Sequence, residues 1–150
     1  MSAPVAVIIR PMERSDLDAV LAIEQDAYPN PWKLEHFIQE LHSPLAIPFV
    51  AVQDQTVIGY LCLMSLFEEA QILNVAVARL QRGKGIARLL MDTAIRTARE
   101  RGAELLTLEV RESNRAAIAL YESYGFVRYF VRRGYYEGTE DAILMEKTLL

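Results

Sequence analysis

One run in the 150-residue sequence constrains the fold more than any other: an apolar strand pattern, a glycine-rich turn and an amphipathic helix in direct succession. Ile72-Leu73-Asn74-Val75-Ala76-Val77 leads through a short link into Arg82-Gly83-Lys84-Gly85-Ile86-Ala87, and a helical pattern starts near Gly85. Ala87, Leu90, Met91, Ala94, Ile95 and Ala98 recur at the spacing of one helix face, with charged residues between them, and Gly102 is a C-terminal stop. A strand that feeds a helix in this way commits the chain to a layered α/β arrangement. Glycines in the turn let backbone N–H groups converge, and the helix N-terminus adds partial positive charge. With Arg82 and Lys84 alongside, the turn suits a pyrophosphate, although a tight turn that simply needs glycine is the alternative. A Walker A loop is excluded because Gly85 follows Lys84, and a Rossmann fingerprint because Arg88 stands where its last glycine belongs.

The flanking sequence supplies the rest of the layer. Val5 to Arg10 reads as a first strand, and Leu17, Val20, Leu21 and Ile23 mark a helix that Pro29 and Pro31 end. Leu34, Phe37, Ile38 and Leu41 mark a second, short helix. Pro48 to Gln53, Thr56 to Leu66 and Glu69 to Ala78 read as strands, with the last entering the glycine turn. Beyond Gly102, Glu104 to Arg111 alternates, with Leu106, Leu108 and Val110 on one face and Thr107, Glu109 and Arg111 on the other. Asn114 is an N-cap for a helix to Tyr124, and Phe126 to Tyr136 and Asp141 to Leu149 close the chain as strands. The order β-α-α-β-β-β-α-β-α-β-β predicts one domain over residues 1–150, a mixed central sheet of about seven strands with helices on both faces.

Composition narrows the function classes. A net charge of -4 offers no global basic field for direct nucleic-acid binding. A single cysteine, Cys62, rules out an internal disulfide. Met1 to Ala6 lacks the charged and apolar regions of a signal peptide, and Val57 to Phe67 is too short for a membrane-spanning helix, which needs about 20 residues. A cytoplasmic protein without membrane attachment is the expectation. Cys62 reads as a buried structural residue, and His36 and His42 as solvated or packing residues, so no metal is expected.

The pattern Arg82-x-x-Gly85-x-Ala87 between strand and helix resembles the signature of the GNAT acetyltransferases, and Leu120-Tyr121-Glu122-Ser123-Tyr124-Gly125-Phe126 is similar to that family's C-terminal stretch. Leu108-Glu109-Val110-Arg111-x-Ser113-Asn114, Arg132-Arg133-x-Tyr135-Tyr136 and the early Pro31-Trp32 resemble the branch that acetylates the N-terminal alanine of a bacterial ribosomal protein. The resemblance implies a GNAT fold, acetyl-CoA as cosubstrate and no metal. Its partner would be a protein N-terminus, with a monomer the favoured state. It implies Glu109 as base and Tyr121 as acid. It further implies cosubstrate contacts from Val75, Ala76, Val77, Arg82, Gly83, Lys84, Gly85, Ile86, Ala87 and Asn114, and substrate contacts from Trp32, Tyr135 and Tyr136. The N–H of Val77 would face the thioester oxygen, an oxyanion-type contact.

From pattern alone, Glu109 reads as an exposed strand glutamate paired with a nearby arginine, and Tyr121 as a packing tyrosine; the resemblance favours base and acid instead. Two positions depart from the branch: Gly134 stands where many relatives carry asparagine, and the turn between Tyr136 and Glu140 has only three residues. Both bear on substrate preference. A lysine or small-molecule amine as acceptor, and an acyl-CoA-binding module without catalysis, are the competing readings.

Overall fold

Among the described residues, seven strands and four helices follow in the expected order: β1 Val7–Pro11, α1 Leu17–Ala27, α2 Leu34–His42, β2 Ala46–Gln53, β3 Thr56–Leu66, β4 Glu69–Val77, α3 Ile86–Glu100, β5 Leu105–Arg111, α4 Arg115–Ser123, β6 Val127–Tyr136 and β7 Glu140–Thr148. This computed structural model describes residues 6–150, so Val5 and most of the Met1 to Ala6 stretch lie outside the described residues. Two three-residue 3-10 turns, Arg14–Asp16 and Arg79–Gln81, lead towards α1 and α3.

The strands form one sheet in the order β1-β2-β3-β4-β5-β7-β6. Neighbours are antiparallel except β4 and β5, which run parallel because α3 carries the chain back between them. Helices cover both faces. On one face, Ile86, Leu90, Met91 and Ala94 of α3 and Ile118 and Tyr121 of α4 pack on Leu61, Leu63, Leu106, Leu108, Val110 and Met145. On the other, Val20 and Ile23 of α1 and Phe37 of α2 pack on Val50, Tyr60, Cys62 and Ala76. Cys62 is fully buried there.

Local chemistry sets the joints. Arg10 donates from both terminal nitrogens to Asp16 at 2.8 Å, and Asp16 also accepts the Glu13 N–H at 2.7 Å, which ties the end of β1 to the start of α1. The chain leaves α1 at Tyr28 in an extended conformation, just before Pro29. Asn114 caps α4 by accepting the Ala117 N–H at 3.2 Å. Gly134 sits at φ +61°, in the left-handed region that both glycine and asparagine tolerate, so either residue serves there. Glu137 and Gly138 also take positive φ, which is how three residues suffice to turn β6 into β7.

Candidate active site

The site begins where the parallel pair comes apart. β4 and β5 are paired from Glu69↔Leu105 to Ile72↔Leu108 and then diverge. Beyond that point β4 follows β3 as far as Gly59↔Val77, while β5 follows β7 as far as Arg111↔Ala142. The wedge between them is a cleft of about 160 Å³ whose walls include Asn74, Val75, Glu109, Asn114, Tyr121 and Tyr136. Ala78 donates its N–H to Ile58 across the β3 ladder, so strand alternation turns the backbone groups of Ala76 toward β3 and those of Val75 and Val77 toward the wedge. Two side chains already reach those outward carbonyls. The Tyr28 hydroxyl donates to Val75, and Arg82 Nε donates to Val77 at 3.1 Å. The Val75 and Val77 N–H groups face the opening, where no strand pairs with them.

The glycine turn lies beside the wedge at the start of α3. Gly83 and Gly85 have φ of +78° and +84°, and a Cβ on either would meet nothing within 4 Å. The cradle is therefore open on the side that an ordinary side chain would fill. Gly85 is the N-cap of α3 and supplies no side-chain acceptor, so the first-turn N–H groups are available to an anion. Ile86 points its side chain into the core beside Gly59 and offers only its backbone; Ala87 is half-buried. Lys84 is exposed, its Nζ 3.5 Å from Gln81 Oε1. The donor set fits a pyrophosphate.

Glu109 and Tyr121 reach the cleft from opposite faces of the sheet. Tyr121 belongs to the core under α3 and α4, edge-on to Phe126 at 5.9 Å, and burial pushes its ionisation up to about 12. Glu109 alternates to the other face, where Arg132 NH1 lies 3.6 Å from Oε1. The pairing with an arginine and the position at the cleft are thus both present. Trp32 and Tyr136 line the cleft, whereas Tyr135 is 51% exposed and stands outside the lining, edge-on to Tyr136 at 5.2 Å.

Sequence reasoning missed three contributors. Glu24 on α1 is 1% exposed and accepts hydrogen bonds from the Tyr60 hydroxyl, from Asn74 Nδ2 at 2.7 Å and from the Trp32 N–H at 2.9 Å. Tyr28, read only as a helix stop, is the second. The third is a chain of contacts across the rim: Asn30 donates to Glu137 at 3.2 Å, and Arg111 donates to Glu137 at 3.0 and 3.1 Å and to Glu140 at 3.2 Å. The Arg111 guanidinium lies 4.1 Å from the Tyr136 ring centre. Arg111 holds the Glu137 carboxyl below its ordinary range, and hydrogen bonds from Ser113 do the same for Glu140. The signals were weak but present: Glu24 occupies an apolar-face position of α1, three and four residues from Leu21 and Val20.

Among the described residues no three His, Cys, Asp or Glu side chains are grouped to hold a metal ion, and no helix is long and apolar enough to cross a membrane.

The sequence matches the acetyltransferase (GNAT) family over residues 17–126. It is 37% identical over 140 residues to the ribosomal protein bS18-alanine N-acetyltransferase of Escherichia coli K12, covering 91% of this chain and 94% of that one. It is 32% identical over 154 residues to an N-alpha-acetyltransferase of Saccharolobus solfataricus, covering 94% and 92%. The crystal structure of the Escherichia coli ribosomal-protein-S18-alanine N-acetyltransferase superposes with a TM-score of 0.90 at 35% identity, covering 96% of this chain and 94% of that one.

Proposed function

The chain belongs to the GNAT acetyltransferase family and is an acetyl-CoA-dependent N-acetyltransferase; from that premise we propose that it acetylates the α-amino group of a ribosomal protein that begins with alanine. The observation that carries this reading is the wedge between β4 and β5, into which Glu109 and Tyr121 project from opposite faces of one sheet. The Escherichia coli relative bears that activity in its name, and the Saccharolobus solfataricus relative is named for acetylation of α-amino groups.

Bound at the cradle and along β4, acetyl-CoA supplies an activated acyl carbon with a thiolate leaving group. The first-turn N–H groups of α3 from Gly85 on, with Lys84 beside them, hold the pyrophosphate. The outward N–H groups of Val75 and Val77 receive carbonyl oxygens, Val77 at the oxygen where negative charge grows. Glu109 takes the proton of the incoming amine, directly or through one water. Tyr121 keeps its proton across the working range, since burial lifts its ionisation to about 12, and is the hydrogen-bond donor and proton source for the departing sulfur.

The choice of acceptor follows from acidity. A protein α-amino group with pKa near 8 is roughly one tenth neutral at pH 7, whereas lysine, near 10.4, costs about 3 kcal/mol more to deprotonate. A carboxylate that reaches the amine directly or through one water is adequate for the first. A ribosomal target makes the cytoplasm the working compartment and the protein N-terminus the partner.

The test is intact-mass and peptide-mapping analysis after incubation with acetyl-CoA and alanine-starting peptides, with N-terminally blocked versions as controls. One added acetyl group on the free N-terminus, lost in Glu109→Gln and Tyr121→Phe, is the expected result. Acetylation of lysines or small amines alone would sink the substrate assignment, and acetyl-CoA binding without any acetyl transfer would sink the catalytic roles.

A further inference from the structure

We infer that Tyr28 is an amine-orienting residue: its phenol oxygen and the Glu109 carboxylate are two fixed acceptors, one on each side of the wedge, that hold the two N–H bonds of a neutral primary amine. The inference rests on the reading of the cleft as the acceptor-amine site and adds to it a preference for primary over secondary amines.

The argument starts from what a nucleophilic amine needs. A neutral primary amine has two N–H donors and one lone pair, so fixing both donors aims the lone pair. A carboxylate accepts and never donates, which gives Glu109 one of the two places. A phenol has one proton and accepts with its remaining lone pairs. In Tyr28 that proton is committed: the hydroxyl donates to the Val75 carbonyl, one of the backbone groups that β4 turns toward the wedge. What the Tyr28 oxygen presents to an arriving group is therefore acceptor capacity alone.

Placement agrees. Tyr28 packs with the core under α1 and α2, and Glu109 projects from that same face of the sheet. Tyr28 stands over β4 and Glu109 over β5, with the opening between them, and both line the cleft. Tyr136 is close enough to influence Tyr28 and to be influenced by Glu109, so the three side chains share one electrostatic neighbourhood. Burial, then Tyr121, Glu24 and Tyr136, push the Tyr28 ionisation above the ordinary phenol value, so the donor to Val75 is kept.

The experiment compares two peptides that differ by one N–H, one beginning with alanine and one with N-methylalanine, on the wild-type protein and Tyr28→Phe. The phenylalanine variant keeps the ring and removes the oxygen, and with it the bond to the Val75 carbonyl, a loss that bears on both peptides alike. The bond lost to the second N–H predicts a further fall of about tenfold in kcat/KM for the alanine peptide alone, so that the preference between the two peptides shrinks by about that factor. Calorimetric affinity for the alanine peptide without acetyl-CoA, measured above pH 8 where the amine is neutral, should drop in the same variant. An equal loss for both peptides would make the hydroxyl merely structural and overturn the inference. Because the wild-type rate on the alanine peptide is measured in the same series, its absence would instead defeat the proposed function.

Discussion

The carboxylate of Glu24 is almost sealed from water and accepts three hydrogen bonds. Its three partners come from β3, β4 and the segment after α1, so one side chain registers the cleft wall against the sheet. Replacing Glu24 by glutamine keeps the shape but turns an NH2 toward existing donors. A loss of about 2–3 kcal/mol in unfolding free energy is expected, readable from denaturant midpoints at constant m. Asn114 is a milder case. Removing its cap to Ala117 with Asn114→Ala should cost about 1 kcal/mol, measured the same way. The cap was legible because Asn before a helical pattern is a local signal. The Glu24 role was not, because Tyr60 and Asn74 lie 36 and 50 positions away and nothing near Glu24 announces them. Tyr28 was hidden for the same reason: its partner Val75 is 47 positions on.

At the scale of elements, most of the fold was legible. The periodicities of α3 and β5 each span several residues and depend only on which face is apolar, while β3 shows as a continuous apolar run buried on both faces, so their order and limits came through nearly unchanged. The short 3-10 turns escaped because three residues show no period, and the irregular register of β6 escaped because its bulges depend on β7. The cradle at the start of α3 was legible because its glycines have a conformational reason: Gly85 is left-handed at the N-cap. Gly85→Ala should cost about 1–2 kcal/mol in stability from that backbone region. Its new Cβ would project into the open cradle, so calorimetry should show acetyl-CoA affinity falling at least about tenfold. Unchanged affinity would remove the cradle from the binding site.

Across the whole molecule, Tyr28, Tyr60, Tyr121 and Tyr124 make one titration. Burial lifts Tyr121 to about 12, burial with the Asp92 hydrogen bond lifts Tyr124 to about 12, and Tyr28 and Tyr60 are pushed higher still, all from an ordinary 10.0. Raised values mean that the folded state holds its phenolic protons more tightly than the unfolded chain. The stabilisation is complete below pH 10 and is lost as pH climbs from 10 through about 12. Phenolate absorbance should accordingly lag behind that of the denatured protein and then rise together with the loss of circular dichroism. Independent titration of Tyr28, Tyr60, Tyr121 and Tyr124 near 10 would contradict this burial pattern.

The seam between β4 and β5 is only four register pairs long, yet among the described residues it is the sole strand pairing between the first four strands and the last three. An extended arm lying along Val75 and Val77 would supply rungs that the ladder lacks and would rivet the two halves together. Occupancy should then be legible far from chemistry, as a melting temperature that climbs with acetyl-CoA concentration and as slowed amide exchange at Val75 and Val77. On the proposed reading the cosubstrate would also be a structural member, bracing the sheet where β4 and β5 part.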